Sequence, residues 1–177
     1  KIAVLGAGLM GAGITQVAAK RGYNIRLKDR DASGVGWGLK YCNDLFSKAV
    51  QRRHMSEAEA DIAMGRIAAT TTYDGIETAD LVIEAVFENL EVKTDVFKEV
   101  EAVVSDECII ASNTSSIPIA SLAQACKKRD RVAGMHFFNP VPLMKLVEVI
   151  RASDTSDETV AALTELGKRM TRVPVTV

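Results

Sequence analysis

Two side chains in the C-terminal half of the chain, His136 and Glu148, are of the types that form an acid–base pair. Glu148 lies within residues 145–150, an apolar run that predicts a buried strand, where an unpaired carboxylate would be costly. The prolines at 140 and 142 predict a bend that folds this strand back so that the two side chains meet. A carboxylate beside an imidazole fixes the tautomer of the ring, so the pair suits removal of a hydroxyl proton. A purely structural hydrogen bond is the alternative that the spacing leaves open.

Three glycines near the N-terminus follow a short apolar run in the pattern G-x-G-x-x-G. In a dinucleotide site of this pattern, Gly6 would allow a tight turn and Gly8 would let a pyrophosphate approach the backbone. Gly11 would let the following helix pack against the strand. The phosphates would then lie at a helix N-terminus, where free N–H groups favour an anion. Because the motif also occurs in turns that bind nothing, its surroundings have to decide.

The surroundings of the glycines favour a dinucleotide site. The motif opens a predicted helix that ends before Gly22, and a second predicted strand leads to Asp29. Asp29 follows Gly11 by about the 20 residues at which an acidic side chain accepts a hydrogen bond from the ribose 2′-hydroxyl. The same carboxylate would repel a 2′-phosphate. The sequence therefore predicts NAD rather than NADP, although the flanking Lys28 and Arg30 could tolerate a phosphate.

The elements that must position these residues alternate between strands and helices. Beyond Asp29, strands are predicted at 68–72, 81–86, 108–111 and 131–135, and helices at 91–104 and 118–125. The alternation predicts an α/β, Rossmann-like, doubly wound and mainly parallel sheet. A helix at 39–53 and a second one opened by the capping box Ser56-x-x-Glu59 form an inserted helical pair. Ile62 and Ile67 are predicted on the inner side of the second helix.

Polar loops follow five of the predicted strands. They are residues 6–11, Asp29, residues 88–89, residues 112–116 and residues 136–139. Ligands of open parallel sheets bind outside the carboxyl ends of the strands, so the five loops are predicted to line one rim. Serine, asparagine and aspartate also favour ordinary turns, which is the alternative for any single loop.

Composition excludes several classes of protein. With 177 residues, 47% of them hydrophobic and 25% charged, the chain is long enough for one globular domain with a core. Its net charge of -1 argues against a nucleic-acid surface, and no apolar run approaches the roughly 20 residues that span a bilayer. The cysteines Cys42, Cys108 and Cys126 have neither disulfide nor metal spacing, so reduced packing thiols and no metal site are predicted. His54 lies among polar residues and is predicted to be solvated.

Three blocks of the sequence resemble the NAD-binding domain of 3-hydroxyacyl-CoA dehydrogenase. They are L-G-A-G-L-M-G at 5–11, S-N-T-S-S at 112–116 and H-F-F-N-P-V-P-L-M-K-L-V-E-V-I at 136–150. The resemblance covers essentially the whole chain, and its His-Phe-Phe-Asn-Pro block is far more specific than the glycines. It implies reversible oxidation of an L-3-hydroxyacyl-CoA to the 3-ketoacyl-CoA with NAD, a step of fatty-acid β-oxidation.

The same resemblance implies roles for individual residues. His136 would be the catalytic base, Glu148 its orienting partner, and Ser115 and Asn139 the contacts to the substrate oxygen. The implied contacts to NAD are Gly6, Gly8, Leu9, Met10, Gly11, Asp29, Glu88, Lys93, Ser115 and Asn139. Because all four polar side chains of the acid–base site are present, an enzyme is favoured over a non-catalytic NAD-binding module. A dehydrogenase of a free hydroxy acid is the other alternative.

The family has a helical C-terminal domain that closes the acyl site, and nothing in residues 1–177 corresponds to it. The chain starts without Met in a predicted strand and stops in an apolar run at 174–177, so an excised domain is expected. The resemblance implies a parent that is a homodimer or part of a β-oxidation multienzyme complex. The residues at 26–29 and 52–54 resemble those of multifunctional β-oxidation enzymes more than those of stand-alone dehydrogenases. The expected compartment is the cytoplasm for a bacterial protein and otherwise the mitochondrion or peroxisome.

Overall fold

The computed structural model describes residues 1–177 and contains eight strands and six α-helices. The strands are β1 (Ile2–Leu5), β2 (Ile25–Lys28), β3 (Ile67–Thr70), β4 (Leu81–Glu84), β5 (Ile109–Ser112), β6 (Val132–Phe137), β7 (Leu146–Ile150) and β8 (Val173–Thr176). The helices are α1 (Leu9–Lys20), α2 (Ala32–Gln51), α3 (Glu57–Met64), α4 (Leu90–Glu101), α5 (Ile119–Ala123) and α6 (Asp157–Arg169), and a 3₁₀ turn spans Arg129–Arg131. No helix is both long enough and apolar enough to cross a membrane.

All eight strands form one sheet in the order β3-β2-β1-β4-β5-β6-β7-β8. The first six strands of the chain pair in parallel, β7 runs antiparallel to β6, and β8 is parallel to β7. The direction of winding reverses between β1 and β4, which is where doubly wound sheets open a binding crevice. The predicted Rossmann-like class is confirmed, and the five polar loops follow strand ends at the same edge of the sheet.

The sheet separates two hydrophobic cores. A cluster of 24 buried residues lies on one face and a cluster of 15 on the other. In β1, Ile2 and Val4 belong to the first cluster and Ala3 and Leu5 to the second, as the two-residue period of a strand requires. The central strands are therefore apolar at nearly every position. The three cysteines are free and buried, and burial raises the pKa of each thiol to about 12.

The helical pair differs from the prediction at its start. Helix α2 begins at Ala32 rather than near residue 39, because the Asp31 side chain accepts a hydrogen bond from the Gly34 amide and caps the helix. Gly34, Gly36 and Gly38, whose low helix propensity obscures this start in the sequence, lie inside the helix. A Cβ at Gly38 would come within 2.8 Å of Ala7, so this glycine lets α2 approach the glycine-rich turn closely.

Helix α3 has the predicted capping box but not the predicted inner face. The Ser56 and Glu59 side chains bond to each other's backbone amides. Ile62, however, is 58% exposed, and Ile67 belongs to β3 rather than to the helix. The helix packs instead through the small side chains of Ala60 and Ala63.

In helix α4 the valines at 92, 96, 100 and 103 recur at helical spacing, which predicts an inner face, but that face is only partly correct. Val100 is buried, but Val92 and Val103 are exposed, and the buried face is completed by Lys93 and Phe97. Positions 93, 97 and 100 are spaced by four and three residues, so they lie on one face of the helix. The core side of α4 therefore includes an ammonium group that needs partners.

Two further differences lie in the last third of the chain. Strand β6 continues through His136 to Phe137, so the histidine lies within the strand rather than after it. Helix α6 was not predicted, and it connects β7 to β8. Strand β8 confirms the apolar run at the end of the chain as a strand.

Candidate active site

Each of the three glycines that follow β1 meets the requirement predicted for it. Gly6 has φ +94°, and a Cβ there would lie 2.5 Å from the Ala85 carbonyl oxygen. A Cβ at Gly11 would lie 1.8 Å from the Gly6 carbonyl oxygen, so only glycine lets α1 pack so closely on the turn. A Cβ at Gly8 would meet nothing within 4 Å. The Gly8 position therefore faces open space at the start of α1, and that helix has no side-chain cap on its first turn.

A cleft of about 870 Å³ runs along this turn and past the end of β2. At its edge the Asp29 carboxylate accepts hydrogen bonds from the amides of Ala7, at 2.6 Å, and Arg30, at 2.7 Å. A carboxylate has about four acceptor sites, so capacity remains for a ribose hydroxyl. An uncapped helix start, an open glycine and a free acidic acceptor together fit a dinucleotide.

The far end of the cleft contains a cluster that the sequence did not reveal. The Lys28 ammonium lies 4.5 Å from the centre of the Tyr73 ring, and the Tyr73 hydroxyl donates to Glu99 at 2.6 Å. Burial, together with the Glu99 carboxylate, raises the pKa of Tyr73. Val96 lines the same part of the cleft, which gives it one apolar wall.

His136 and Glu148 face each other across the antiparallel pair β6–β7. They are direct cross-strand partners, and the His136 Nδ1 atom lies 2.9 Å from Glu148 Oε2. The His136 side chain is 16% exposed and that of Glu148 is 32% exposed, so the glutamate is less buried than predicted. The Phe138 ring lies 4.5 Å from the imidazole, centre to centre, and limits its rotation. The structure thus brings the predicted pair together.

A second cavity, of about 340 Å³, opens beside the imidazole. Ser115, Asn139 and His136 all line it, so the structure places the three predicted substrate contacts around one space. Met10, Ala85 and Val86 line both this cavity and the larger cleft, so the two lie side by side. Asn113 also lines the cavity, and its Oδ1 atom accepts from the Phe137 amide at 2.9 Å. The sequence indicated a position for Asn113 at this rim only through its place in the polar segment 112–116.

Glu88 and Lys93 lie beside the same cavity but differ in exposure. The Lys93 side chain is 1% exposed, and its Nζ atom lies 2.6 Å from Glu84 Oε1 and 3.2 Å from Glu88 Oε2. Burial raises the pKa of Glu88, but hydrogen bonds from Thr114 and Ser116 and the Lys93 charge outweigh it, so the pKa lies below its usual value. The ammonium of Lys93 is thus directed at two carboxylates of the protein.

The fully buried Glu84 was missed in the sequence. The available signal was a carboxylate at the end of the apolar strand L-V-I-E, a position where an ionised group requires partners. The structure supplies them in Lys93 and Ser112.

Residues 1–177 match the family model described as 3-hydroxyacyl-CoA dehydrogenase, NAD binding domain. The chain belongs to this family. The match to an NAD-binding domain agrees with the geometry, since the glycine turn and Asp29 have the arrangement of a dinucleotide site. NAD, predicted from the glycines and Asp29, is the cofactor of this domain family.

Curated relatives and solved structures of this family are similar over nearly the whole chain. The fatty acid oxidation complex subunit alpha of Acinetobacter baylyi is 45% identical over 99% of the chain, and that of Psychrobacter arcticus is 46% identical over 99%. The chain spans 24% of the length of each of these two proteins. The crystal structure of (S)-3-hydroxybutyryl-CoA dehydrogenase from Ralstonia eutropha superposes with a TM-score of 0.97 at 41% identity, covering 99% of this chain and 62% of that one.

Proposed function

We propose that this 3-hydroxyacyl-CoA dehydrogenase domain oxidises L-3-hydroxyacyl-CoA reversibly to 3-ketoacyl-CoA in fatty-acid β-oxidation. The observation that carries the proposal is that His136, hydrogen-bonded to Glu148, lines a cavity that shares three lining residues with the dinucleotide cleft. NAD bound in that cleft supplies the hydride acceptor. The substrate carbon would then lie between the imidazole and the cofactor.

In the proposed reaction His136 removes the proton of the substrate hydroxyl. Glu148 accepts a hydrogen bond from Nδ1, which leaves Nε2 as the basic nitrogen. As the hydroxyl proton moves to Nε2, the imidazole becomes positive, and the Glu148 carboxylate stabilises that charge. In the reverse direction the imidazolium returns the proton to the carbonyl oxygen of the 3-ketoacyl group.

Ser115 and Asn139 support this chemistry by their positions in the cavity. Both side chains carry hydrogen-bond donors, and both line the space that His136 borders. Donors placed around the substrate oxygen would hold it next to the imidazole and stabilise charge that develops on it. Phe138 lines the same cavity with its ring beside the imidazole, where it would reduce the access of water.

A basic cleft beside the loop after Asn139 supports a CoA ester as the substrate. This cleft, of about 290 Å³, contains no carboxylate and is lined by five cationic side chains, those of Lys20, Arg21, Lys48, Arg52 and Arg172. The Nε atom of Arg172 is buried without a hydrogen-bond partner. Burial, with the neighbouring Arg21 charge, lowers the pKa of Arg172. Such a cluster suits the phosphates of CoA, whereas a free hydroxy acid has no phosphate that these side chains could bind.

The proposal is tested by steady-state reduction of acetoacetyl-CoA with NADH in the full-length protein. We expect His136→Ala to lower turnover by about 10²–10⁴, the usual contribution of one general base, with NADH affinity nearly unchanged. Glu148→Gln should also lower turnover, because it removes the charge that stabilises the imidazolium. Lys98→Met is the control, since Lys98 lies on the exposed surface of α4 and lines none of the three clefts described above.

Near-normal rates for His136→Ala would contradict the acid–base assignment. Equal activity with free acetoacetate would instead favour the dehydrogenase of a free hydroxy acid. NADH binding without turnover of either compound would favour the non-catalytic module.

We propose further that the chain functions as the dehydrogenase part of a larger β-oxidation protein. The two curated relatives are subunits of a fatty acid oxidation complex and extend well beyond the matched part. A homodimer is the other assembly that the family allows. The expected compartment follows the source, which is the cytoplasm in bacteria and the mitochondrion or peroxisome otherwise. The mass of the full-length protein in solution distinguishes a complex from a homodimer.

A further inference from the structure

We propose that Glu84 is a positioning residue for this reaction. Its buried carboxylate fixes the cofactor loop, residues 85–89, and the serine loop, residues 112–116, relative to each other. It acts through Lys93 and Ser112 and touches neither substrate nor cofactor. The inference rests on the proposed function, because it assigns Glu84 a part in the same site.

Glu84 ends β4 beneath both loops and uses both of its oxygens. Oε1 accepts from the Val86 amide at 2.7 Å and from Lys93 Nζ at 2.6 Å. Oε2 accepts from Ser112 Oγ at 2.7 Å. One carboxylate thereby joins the cofactor loop, the first turns of α4 and the end of β5.

The same bonds continue to the residues that face the cavity. Ser112 Oγ accepts from the Thr114 amide at 3.2 Å, directly before Ser115. On the solvent side Glu88 accepts from the hydroxyls of Thr114 and Ser116, the latter at 3.1 Å, and pairs with Lys93. Lys93 therefore bridges the two carboxylates, and the loops are joined both below and above.

Stability by itself does not account for this ion pair. Glu84 and Lys93 are 0% and 1% exposed, and replacing such a pair by apolar side chains of similar volume is often neutral or stabilising. Through Lys93 the pair does provide directed bonds from the end of β4 to α4 and Glu88, which the sheet does not connect. The backbone pairing of β4 with β5 ends at Glu84 and Ser112, and the loops begin there. Since shifts of about 1 Å in a reacting group can change rates about 100-fold, bonds at this point bear on catalysis.

Three variants of the full-length protein test the inference. The double variant Glu84→Gln/Lys93→Met removes both charges together, so that neither is left unpaired. Ser112→Ala removes the bond from the Ser112 hydroxyl to Glu84 and the bond it accepts from the Thr114 amide, and it leaves the ion pair in place. Lys98→Met is the matched control, because Lys98 also lies on α4 and pairs with a carboxylate, Asp95, but on the surface.

Each variant is compared by its Tm, its NADH dissociation constant from fluorescence, and its kcat and KM for acetoacetyl-CoA. We expect the double variant to fold but to lose about 100-fold in kcat, with NADH bound several-fold more weakly. Ser112→Ala should lose about tenfold in kcat while NADH affinity changes by less than about twofold. Lys98→Met should match the unaltered protein in all three quantities.

A folded double variant with unaltered kcat and NADH affinity would overturn the inference, because a purely structural pair predicts that result. If the double variant does not fold, Ser112→Ala decides, and a normal kcat for it overturns the inference. An unaltered protein that binds NADH but does not reduce acetoacetyl-CoA would contradict the proposed function instead. The NADH affinity of the single variant Glu84→Gln, which keeps the Lys93 ammonium, would then still decide whether Glu84 fixes the cofactor loop.

Discussion

At the scale of single residues, we expect Asp29 to set the choice between the two nicotinamide cofactors. Its carboxylate is held by two backbone amides at the edge of the large cleft. We expect NADH to bind at least about tenfold more tightly than NADPH, since a lost hydrogen bond plus repulsion of the 2′-phosphate is worth about 1–3 kcal/mol. Calorimetric titration with both cofactors measures the ratio directly.

The variant Asp29→Asn should bring the two affinities closer together, because the amide keeps an acceptor but loses the charge. Asp31→Asn is the control, since Asp31 lines the same cleft and asparagine preserves its role as a helix cap. Equal binding of NADH and NADPH by the unaltered protein would mean that attraction of the 2′-phosphate by Lys28 or Arg30 outweighs its repulsion by Asp29.

The residues that could be predicted from the sequence are those whose role is local or carried by a specific motif. The glycines and Asp29 follow from spacing along one strand–helix–strand unit, and His136 and Glu148 from a bend between two strands. Glu84 and Tyr73 could not be predicted in this way. Their partners, Ser112 and Glu99, lie in other elements of the chain, and only the order of strands in the sheet brings them together.

At the scale of elements, the glycine turn before α1 separates stability from binding. Gly8→Ala adds a methyl group into open space, so it should lower the free energy of unfolding by about 1 kcal/mol or less. The same methyl group would occupy the position of the phosphates and weaken NADH binding about tenfold or more. Gly11→Ala places its methyl group against the Gly6 carbonyl and should lower the free energy of unfolding by about 1–3 kcal/mol or more.

Urea unfolding and NADH fluorescence titration of the two variants test this contrast. The interpretation of the turn would be wrong if Gly8→Ala bound NADH normally, or if Gly11→Ala were as stable as the unaltered chain.

Element boundaries were predicted less well than element types. The start of α2 was obscured by three glycines, because helix propensity counts against them whereas close packing on the turn requires Gly38. The inner face of α4 was assigned to valines, although the structure buries Lys93 there. Hydrophobic periodicity identifies only apolar residues on a core face. The buried Lys93 and its ion pair with Glu84 could therefore be found only in the structure.

At the scale of the whole molecule, residues 1–177 contain a complete sheet with a hydrophobic core on each face. We therefore expect the chain by itself to fold cooperatively and to bind NADH. Its turnover of acetoacetyl-CoA should be much slower than that of the full-length protein, since catalysis needs the substrate held within about 3–3.5 Å of the reacting groups with water excluded. The open side of the His136 cavity provides no such enclosure.

Thermal unfolding followed by circular dichroism and rate measurements at saturating NADH compare the two proteins. Activity of the chain equal to that of the full-length protein would show that the sheet domain positions the substrate unaided.

The direct cross-strand pairing of His136 with Glu148 has a consequence for how this family can vary. The distance between the two side chains is set by the backbone register of β6 and β7, in which they are direct partners. Insertions in residues 140–145 could therefore reshape the substrate entrance while the base and its partner stay in place. A shift of either strand by a single residue would turn one of the two side chains to the opposite face. Members of this family could therefore differ in the substrates they accept while they keep the same His–Glu pair.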